Sequence, residues 1–275
     1  MAETLHAAVL GQPIAHSLSP VLHQAGYRVR GLTQWSYAAH EVGADGLAAF
    51  VAGLDGSWRG LSLTMPLKEA ALGVADSVGE TARLTRAVNT LVRRKDLGWE
   101  AHNTDIAGIV RALEGVDHGG AATIIGSGAT ARSAAAAVAA LGVADVVVAA
   151  RNPQTAAGVV EVLTSSGTTG RAVALEHWAD VPTRLVVSTV PREASYAVGE
   201  LLHETGSRFA GATLLDVIYQ DWPTPLARDA NRVGMHLVNG LDMLVHQAAE
   251  QFDLFTGKRA PLEEMFAAGR EALGR

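Results

Sequence analysis

The sequence predicts an α/β protein of two domains, each built on a mainly parallel sheet covered by helices. Short apolar runs of strand length alternate with longer stretches of helical spacing. The alternation breaks at "DHGG", residues 117–120, and then restarts. A glycine-rich turn, "GSGATA" at 126–131, falls between a strand and a helix at the start of the second series.

The elements follow in order. "HAAVLG" (6–11) reads as a first strand, and "SPVLHQAGYRVRG" (19–31) as a helix closed by Gly31. "WSYAAHEV" (35–42) is a second strand and "GADGLAAFVAGLDG" (43–56) a second helix. "WRGLSLTMP" (58–66) is a third strand, which Pro66 should stop, followed by the helix "LKEAALGVAD" (67–76). "AVNTLVRR" (87–94) and "GWEAHNTD" (98–105) read as two strands meeting in the polar turn "RKDLG", before the helix "IAGIVRALEG" (106–115). In the second series "ATIIG" (122–126), "ADVVVAAR" (144–151), "RLVVSTVP" (184–191), "ATLLDVIY" (212–219) and "MHLVNG" (235–240) are strands. "ATARSAAAAVAALG" (129–142) and "TPLARDANRVG" (224–234) are helices, the alanines allowing close approach to a sheet. Two helices, at 241–257 and 260–274, end the chain. The expected domains are 1–105 and 106–240, with 241–275 packing back on the first.

Composition narrows the function. The chain is 48% hydrophobic and 18% charged, as in an ordinary globular protein. A net charge of −6 gives no basic face for nucleic acid or a membrane surface. There is no cysteine, which excludes disulfides and thiol chemistry and suits a reducing cytoplasm. No signal peptide and no membrane-spanning run are expected. His16, His23, His102 and His246 lack partners at metal-ligand spacing, so they read as structural or surface groups and no metal is expected.

The turn Gly126-Ser127-Gly128-Ala129-Thr130-Ala131 fits the dinucleotide-binding pattern G-x-G-x-x-A. The first glycine permits the tight turn and the second admits a pyrophosphate. The small third residue lets helix and strand pack closely. The helix N-terminus then attracts the phosphates. A tight β-α turn without a ligand is the rival reading. NAD-binding versions place an acid at the end of the next strand. Here Arg151 and Asn152 stand there, and an arginine suits a 2′-phosphate, so NADP(H) is favoured and NAD(H) is retained as a second cofactor. A surface arginine ending a strand is the alternative.

"SLTMPLK" (62–68) sets a lone lysine just past a strand end, where parallel α/β sheets build sites. A solvated surface lysine is the plain alternative. Together the motifs resemble the shikimate dehydrogenase family over nearly the whole chain. The matching segments are "GQPIAHSLSP", "SLTMPLK", "AVNTL", "NTDIAG", "GSGATARS", "ARN", "DVIYQDWPTPL" and "NGLDMLVHQA", in the family's order.

The resemblance implies an N-terminal substrate domain and a Rossmann-like NADP domain with a cleft between them. It implies NADP-dependent interconversion of 3-dehydroshikimate and shikimate, a step of aromatic amino acid and chorismate biosynthesis. It assigns Lys68 and Asp105 to acid–base catalysis at the substrate hydroxyl. An N-cap is the rival role for Asp105, which opens a helix. Ser17 and Ser19, two positions apart, would project to one side of an extended segment and grip the substrate carboxylate; a helix cap before Pro20 is their alternative. Tyr219 would add a phenolic donor unless it is a core residue. Thr64, Asn89 and Gln247 would bind ring hydroxyls, since each donates and accepts; Gln247 could instead be packing. Gly126, Ser127, Gly128, Ala129, Thr130, Arg151, Asn152 and Gly240 would bind the cofactor.

Several positions depart from the family pattern. Ser62 stands where asparagine is usual, which predicts a shorter or water-mediated substrate contact. Ile106 and Asp242 stand where glycine is common. "ARNPQT" lacks a second basic residue, which weakens the case for a 2′-phosphate and keeps NAD in play. Arg192 in "VSTVPREA" reads as a solvated loop residue, with an approach to the cofactor as its alternative. A quinate/shikimate dehydrogenase preferring NAD is the nearest alternative, and a dinucleotide-binding sensor without turnover is the alternative from another class. A small-molecule substrate is expected, as a monomer or a homodimer.

Overall fold

The computed structural model describes residues 4–275. The chain forms two compact units, Met1–Gly108 with Leu244–Arg275, and Ile109–Met243.

The first unit contains β1 (Leu5–Gly11), α1 (Ser19–Val29), β2 (Trp35–Glu41), α2 (Leu47–Ala52), β3 (Trp58–Leu63), α3 (Leu67–Ala70), β4 (Ser77–Val78), α4 (Glu80–Thr85), β5 (Thr90–Arg93) and β6 (Trp99–His102). It also holds the start of α5 (Asp105–Ala112). Its sheet has the order β2-β1-β3-β5-β6-β4. β1, β2 and β3 are parallel; β5 is antiparallel to β3 and to β6, because "RKDLG" closes a hairpin. β3 ends at Leu63, and Thr64 and Met65 lead through a cis Met65–Pro66 bond into α3. β4 and α4 were not expected: two strand residues and one polar helical turn carry no periodic signal.

The second unit contains the rest of α5, then β7 (Ala121–Ile125), α6 (Ala129–Ala140), β8 (Asp145–Ala150), α7 (Ala157–Ser165), β9 (Thr169–Ala174) and β10 (Leu185–Ser188). It continues with α8 (Arg192–Glu200), α9 (Leu202–Thr205), β11 (Thr213–Asp216), α10 (Pro225–Arg232), β12 (His236–Asn239) and the start of α11 (Gly240–Thr256). Its six strands are all parallel, in the order β12-β11-β10-β7-β8-β9. The order reverses from β7, as in a doubly wound dinucleotide fold. β9 went unread because an edge strand with exposed positions has no continuous apolar run. Among the described residues no helix is long and apolar enough to cross a membrane.

In the first unit strand alternation divides the sheet's two faces. Ala8, Leu10, Leu61, Leu63 and Leu91 join one core with Leu47, Leu67 and Ala82. Ala7, Val9 and Tyr37 join another with Tyr27 of α1 and Phe252 and Phe255 of α11. The C-terminal part of α11, with α12 (Leu262–Ala272), therefore folds onto the first unit's sheet. Two glycines permit the close approach. A Cβ on Gly60 would lie 2.0 Å from the Phe255 ring, and one on Gly26 would lie 2.7 Å from Phe252.

His23 of α1 is buried in this second core, stacked on Tyr37 at 4.1 Å and bordered by Tyr27, Phe252 and Phe255. Burial pushes its pKa down to about 3, against a smaller opposing effect of Gln251, so the folded protein holds it neutral. Between pH 3 and 6.5 the unfolded chain binds the extra proton, so stability falls on acidification through that window. From pH 7 to pH 5 this term costs about 2 kcal/mol. His23→Phe should remove that share of the pH dependence in urea unfolding; an unchanged difference between the two pH values would contradict the neutral buried ring.

Candidate functional site

At the C-terminal end of β3 the chain turns at Pro66 and starts α3, which places Lys68 in its first turn. β6 ends at His102, and Asp105 opens α5. The two side chains meet: Lys68 Nζ donates to Asp105 Oδ2 at 2.5 Å, with the side chains 15% and 6% exposed. Asn89, just before β5, donates from Nδ2 to Asp105 Oδ1 at 2.8 Å. The carboxylate thus has a partner on each oxygen, which a buried charge requires. Asp105 is the first residue of α5 and its backbone N–H donates to Asn103 Oδ1 at 3.1 Å, while its carboxylate meets Lys68 and Asn89.

The other first-unit residues lie as follows. Gln247 of α11 accepts from Asn89 Nδ2 through Oε1 at 3.3 Å. Thr64 is half-buried, its N–H bonded to Leu10 O and its carbonyl to the N–H of Leu67, and its methyl lies against Gly11. Ser19 is the first residue of α1 and buried, and Ser17 is half-buried before it. The alternation expected for these serines does not apply, because Leu18 is helical at φ −82°, ψ −9°. Ser17 Oγ instead accepts from the Ser19 N–H at 3.3 Å, an ST turn that holds the serines together.

Ser62 is buried in the first unit. Its hydroxyl accepts from Tyr37 at 2.6 Å and donates to Gln251 Oε1 at 2.7 Å, in the interior beneath the pair. Gln251, Thr90, Thr104 and Tyr37 are the polar residues around the pair that sequence reasoning missed. One signal was available: Gln247 and Gln251 stand four apart on a helix whose neighbouring positions Ala248, Phe252 and Phe255 are buried apolar residues.

In the second unit the glycine-rich turn has the geometry of a phosphate cradle. Gly126 has φ +125°, and a Cβ there would lie 2.2 Å from Thr189 Oγ1. Gly128 is the N-cap of α6 and supplies no side-chain cap. Ala129 and Thr130 form the first turn, and Ala131 is fully buried, as the third small position requires. These features fit a dinucleotide: a narrow turn, close backbone access and a helix N-terminus with no capping side chain. Arg151 is exposed at the end of β8, the strand that pairs with β7. Asn152 Oδ1 accepts from the Gln154 N–H, and Thr155 Oγ1 lies 2.8 Å from Ser127 Oγ. Thr155 was not foreseen, since nothing in the sequence ties it to the turn.

Tyr219 is half-buried in the loop after β11. Asp216, at the end of β11, holds that loop: it accepts from Thr224 Oγ1 at 2.6 Å and from the Ile218 N–H at 3.2 Å. Burial pushes the Asp216 pKa up to about 6, against those two bonds and Arg192. Arg192 itself donates to Asp221 O at 2.6 Å. Gly240 lies against the same loop; a Cβ there would sit 2.1 Å from Val217 O.

A Rossmann-type sheet in one unit, and a lysine–carboxylate pair set among amides and hydroxyls in the other, are the fold and chemistry of a two-domain oxidoreductase. The family model described as shikimate dehydrogenase substrate binding domain matches residues 9–91. The model described as shikimate 5'-dehydrogenase C-terminal domain matches residues 240–268. The shikimate dehydrogenase (NADP(+)) of Synechococcus sp. (strain JA-3-3Ab) is 37% identical, over 97% of this chain and 94% of that one. The crystal structure of Mycobacterium tuberculosis shikimate dehydrogenase superposes with a TM-score of 0.88 at 43% identity, covering 97% of this chain and 99% of that one. The shikimate 5-dehydrogenase of Thermus thermophilus, solved with NADP(H) and shikimate, gives 0.82 at 32% identity, covering 98% and 100%. The chain belongs to the shikimate dehydrogenase family.

Gly240→Ala should cost about 1–3 kcal/mol through the forced shift of the Val217 carbonyl. Its thermal midpoint checks this; a midpoint equal to that of the native protein would mean that the loop yields without cost.

Proposed function

We propose that this protein catalyses the NADP-dependent, reversible reduction of 3-dehydroshikimate to shikimate. The observation that carries the reading is the Lys68–Asp105 pair, 2.5 Å long and largely buried, in a chain of this family. Held at the turn of residues 126–130, NADP(H) would supply or accept the hydride at the carbon that bears the reacting oxygen. In the reductive direction Lys68 Nζ gives a proton to the alkoxide oxygen, and in the oxidative direction it takes that proton back. Asp105 orients the lysine through Oδ2 and is itself held by Asn89 through Oδ1.

The substrate carboxylate is assigned to the hydroxyls of Ser17 and Ser19, whose segment is turned by the bond from the Ser19 N–H to Ser17 Oγ, with Tyr219 adding a phenolic donor. Thr64, Asn89 and Gln247 are assigned to the ring hydroxyls. The pyrophosphate is assigned to Gly126, Ser127, Gly128, Ala129 and Thr130, the adenosine 2′-phosphate to Arg151 with Asn152, and the nicotinamide end to Gly240. Cytoplasmic residence accords with the absence of cysteine.

Initial rates with shikimate or quinate, each with NADP or NAD, test the reading. Turnover with shikimate and NADP is expected to exceed the other three combinations; faster reaction with quinate and NAD would replace it with the broader enzyme, and no turnover in any would refute it. Lys68→Met should lower kcat by at least about 100-fold while NADP affinity stays within two- or three-fold; full activity would remove the lysine from the chemistry. Arg151→Ala should weaken NADP binding by about 10–100-fold and leave NAD nearly unchanged. Equal losses would sink the 2′-phosphate assignment.

A further inference from the structure

A one-directional chain of hydrogen bonds runs through the interior of the first unit and ends on Asp105. It starts at Tyr37, whose hydroxyl donates to Ser62 Oγ at 2.6 Å. Ser62 Oγ donates to Gln251 Oε1 at 2.7 Å. Gln251 Nε2 donates to Thr90 Oγ1 at 2.9 Å and to the Asn89 carbonyl at 3.1 Å. Thr90 Oγ1 donates to Asn89 Oδ1 at 2.7 Å, and Asn89 Nδ2 donates to Asp105 Oδ1 at 2.8 Å. Tyr37, Ser62, Thr90, Asn89, Gln251 and Asp105 are all buried.

Two backbone groups fix the direction. The Asn89 carbonyl only accepts, so it is Gln251 Nε2 that faces it, and Oε1 is left for the Ser62 hydroxyl. The Thr104 N–H only donates, at 2.8 Å to Asn89 Oδ1, so Asn89 presents Nδ2 to the carboxylate. Thr90 receives a proton from Gln251 and therefore gives its own to Asn89. The orientation of both amides is dictated by neighbours rather than by solvent, which buried polar groups satisfied on every side allow.

Gln251 is the joint of this chain. It comes from α11, near the end of the sequence, and reaches residues of β3 and β5. It touches neither Lys68 nor Asp105 through any of these bonds. From this juxtaposition we infer that Gln251 is a positioning residue: it holds Thr90 and Asn89 so that Asn89 presents its amide N–H to Asp105, and thereby fixes the carboxylate that orients Lys68. Ser62 acts upstream by orienting Gln251. This rests on the dehydrogenase reading for its effect on rate, but the geometric part does not.

The test uses Gln251→Leu, which removes both ends of the amide, and Gln251→Glu, which keeps an acceptor for Ser62 and removes the donated bonds. Ser62→Ala removes the upstream donor to Gln251, together with the acceptor of the Tyr37 hydroxyl, and serves if either Gln251 variant fails to fold. Steady-state kinetics with shikimate and NADP are measured well below each thermal midpoint, together with NADP affinity. The side-chain amide resonances of Asn89 are recorded in the ligand-free protein. The expected result is a kcat reduced by about ten-fold or more in both Gln251 variants, a smaller loss in Ser62→Ala, unchanged NADP affinity and displaced Asn89 amide resonances. A role confined to packing would lower the midpoint and leave kcat of the folded fraction and the Asn89 resonances in place, which would overturn the inference. A fall in kcat without movement of the Asn89 resonances, or movement without a fall in an active enzyme, would also overturn it. If the native protein turned over none of the substrates, the dehydrogenase reading would fall while displaced Asn89 resonances still upheld the chain of bonds.

Discussion

The buried carboxylate of Asp105 is the constraint on which the first unit depends. A charge taken out of water is costly unless each of its oxygens is met by a donor. Lys68 meets one and Asn89 the other. To bring those donors there, the fold must end β3 beside the start of α5 and set Asn89 between them. Pro66 stops the strand, the β5–β6 hairpin returns the chain, and Asn103 with Asn89 secures the residues that precede α5. The ion pair and its supporting amide are therefore a product of several strand ends converging, and no two of Lys68, Asn89 and Asp105 are adjacent in sequence.

The same demand explains why α11 must pack against the first unit's sheet. Its inner face is apolar at Phe252 and Phe255, over Gly26 and Gly60, and polar at Gln247 and Gln251, over Asn89 and Thr90. The aromatic end supplies burial, and Gly60 lets it approach the strand closely. The polar end satisfies the groups that this burial would otherwise strand without partners. One helix thus closes a hydrophobic core and completes the polar interior around the Lys68–Asp105 pair. Tyr37 belongs to both environments, its ring stacked on His23 while its hydroxyl enters the hydrogen-bonded chain.

In the second unit the corresponding constraint is backbone approach. Gly126 adopts a conformation closed to most side chains and leaves no room for a Cβ against Thr189, so the turn stays narrow. Asp216 and Gly240 perform a similar service for the loop that carries Tyr219, one by bonding Thr224 and Ile218 and the other by lacking a side chain against Val217. Burial raises the Asp216 carboxyl pKa, and the bonds from Thr224 and Ile218 partly offset that cost.

Much of this was legible in the sequence, because local patterns encode local structure. The alternating apolar runs marked most strands and helices, the "GSGATA" turn marked the dinucleotide fold, and the ordered motifs marked the family. Where the local signal was weak the reading failed: β4 is two residues long, and β9 is an exposed edge. Ser17 and Ser19 were expected to project to one side of an extended segment, but Leu18 has helical dihedrals and Ser17 Oγ accepts from the Ser19 N–H, so strand alternation does not apply there. Tertiary structure alone decided the partners of Ser62, Gln251, Thr90 and Tyr37. Their bonds join residues as far apart as Ser62 and Gln251, and nothing in either local sequence specifies the other. The sequence determined which strands and turns form, through side-chain period and backbone chemistry. Which polar groups became one another's partners was decided when α11 closed over the sheet, because buried donors and acceptors must be satisfied by whatever the fold brings within reach.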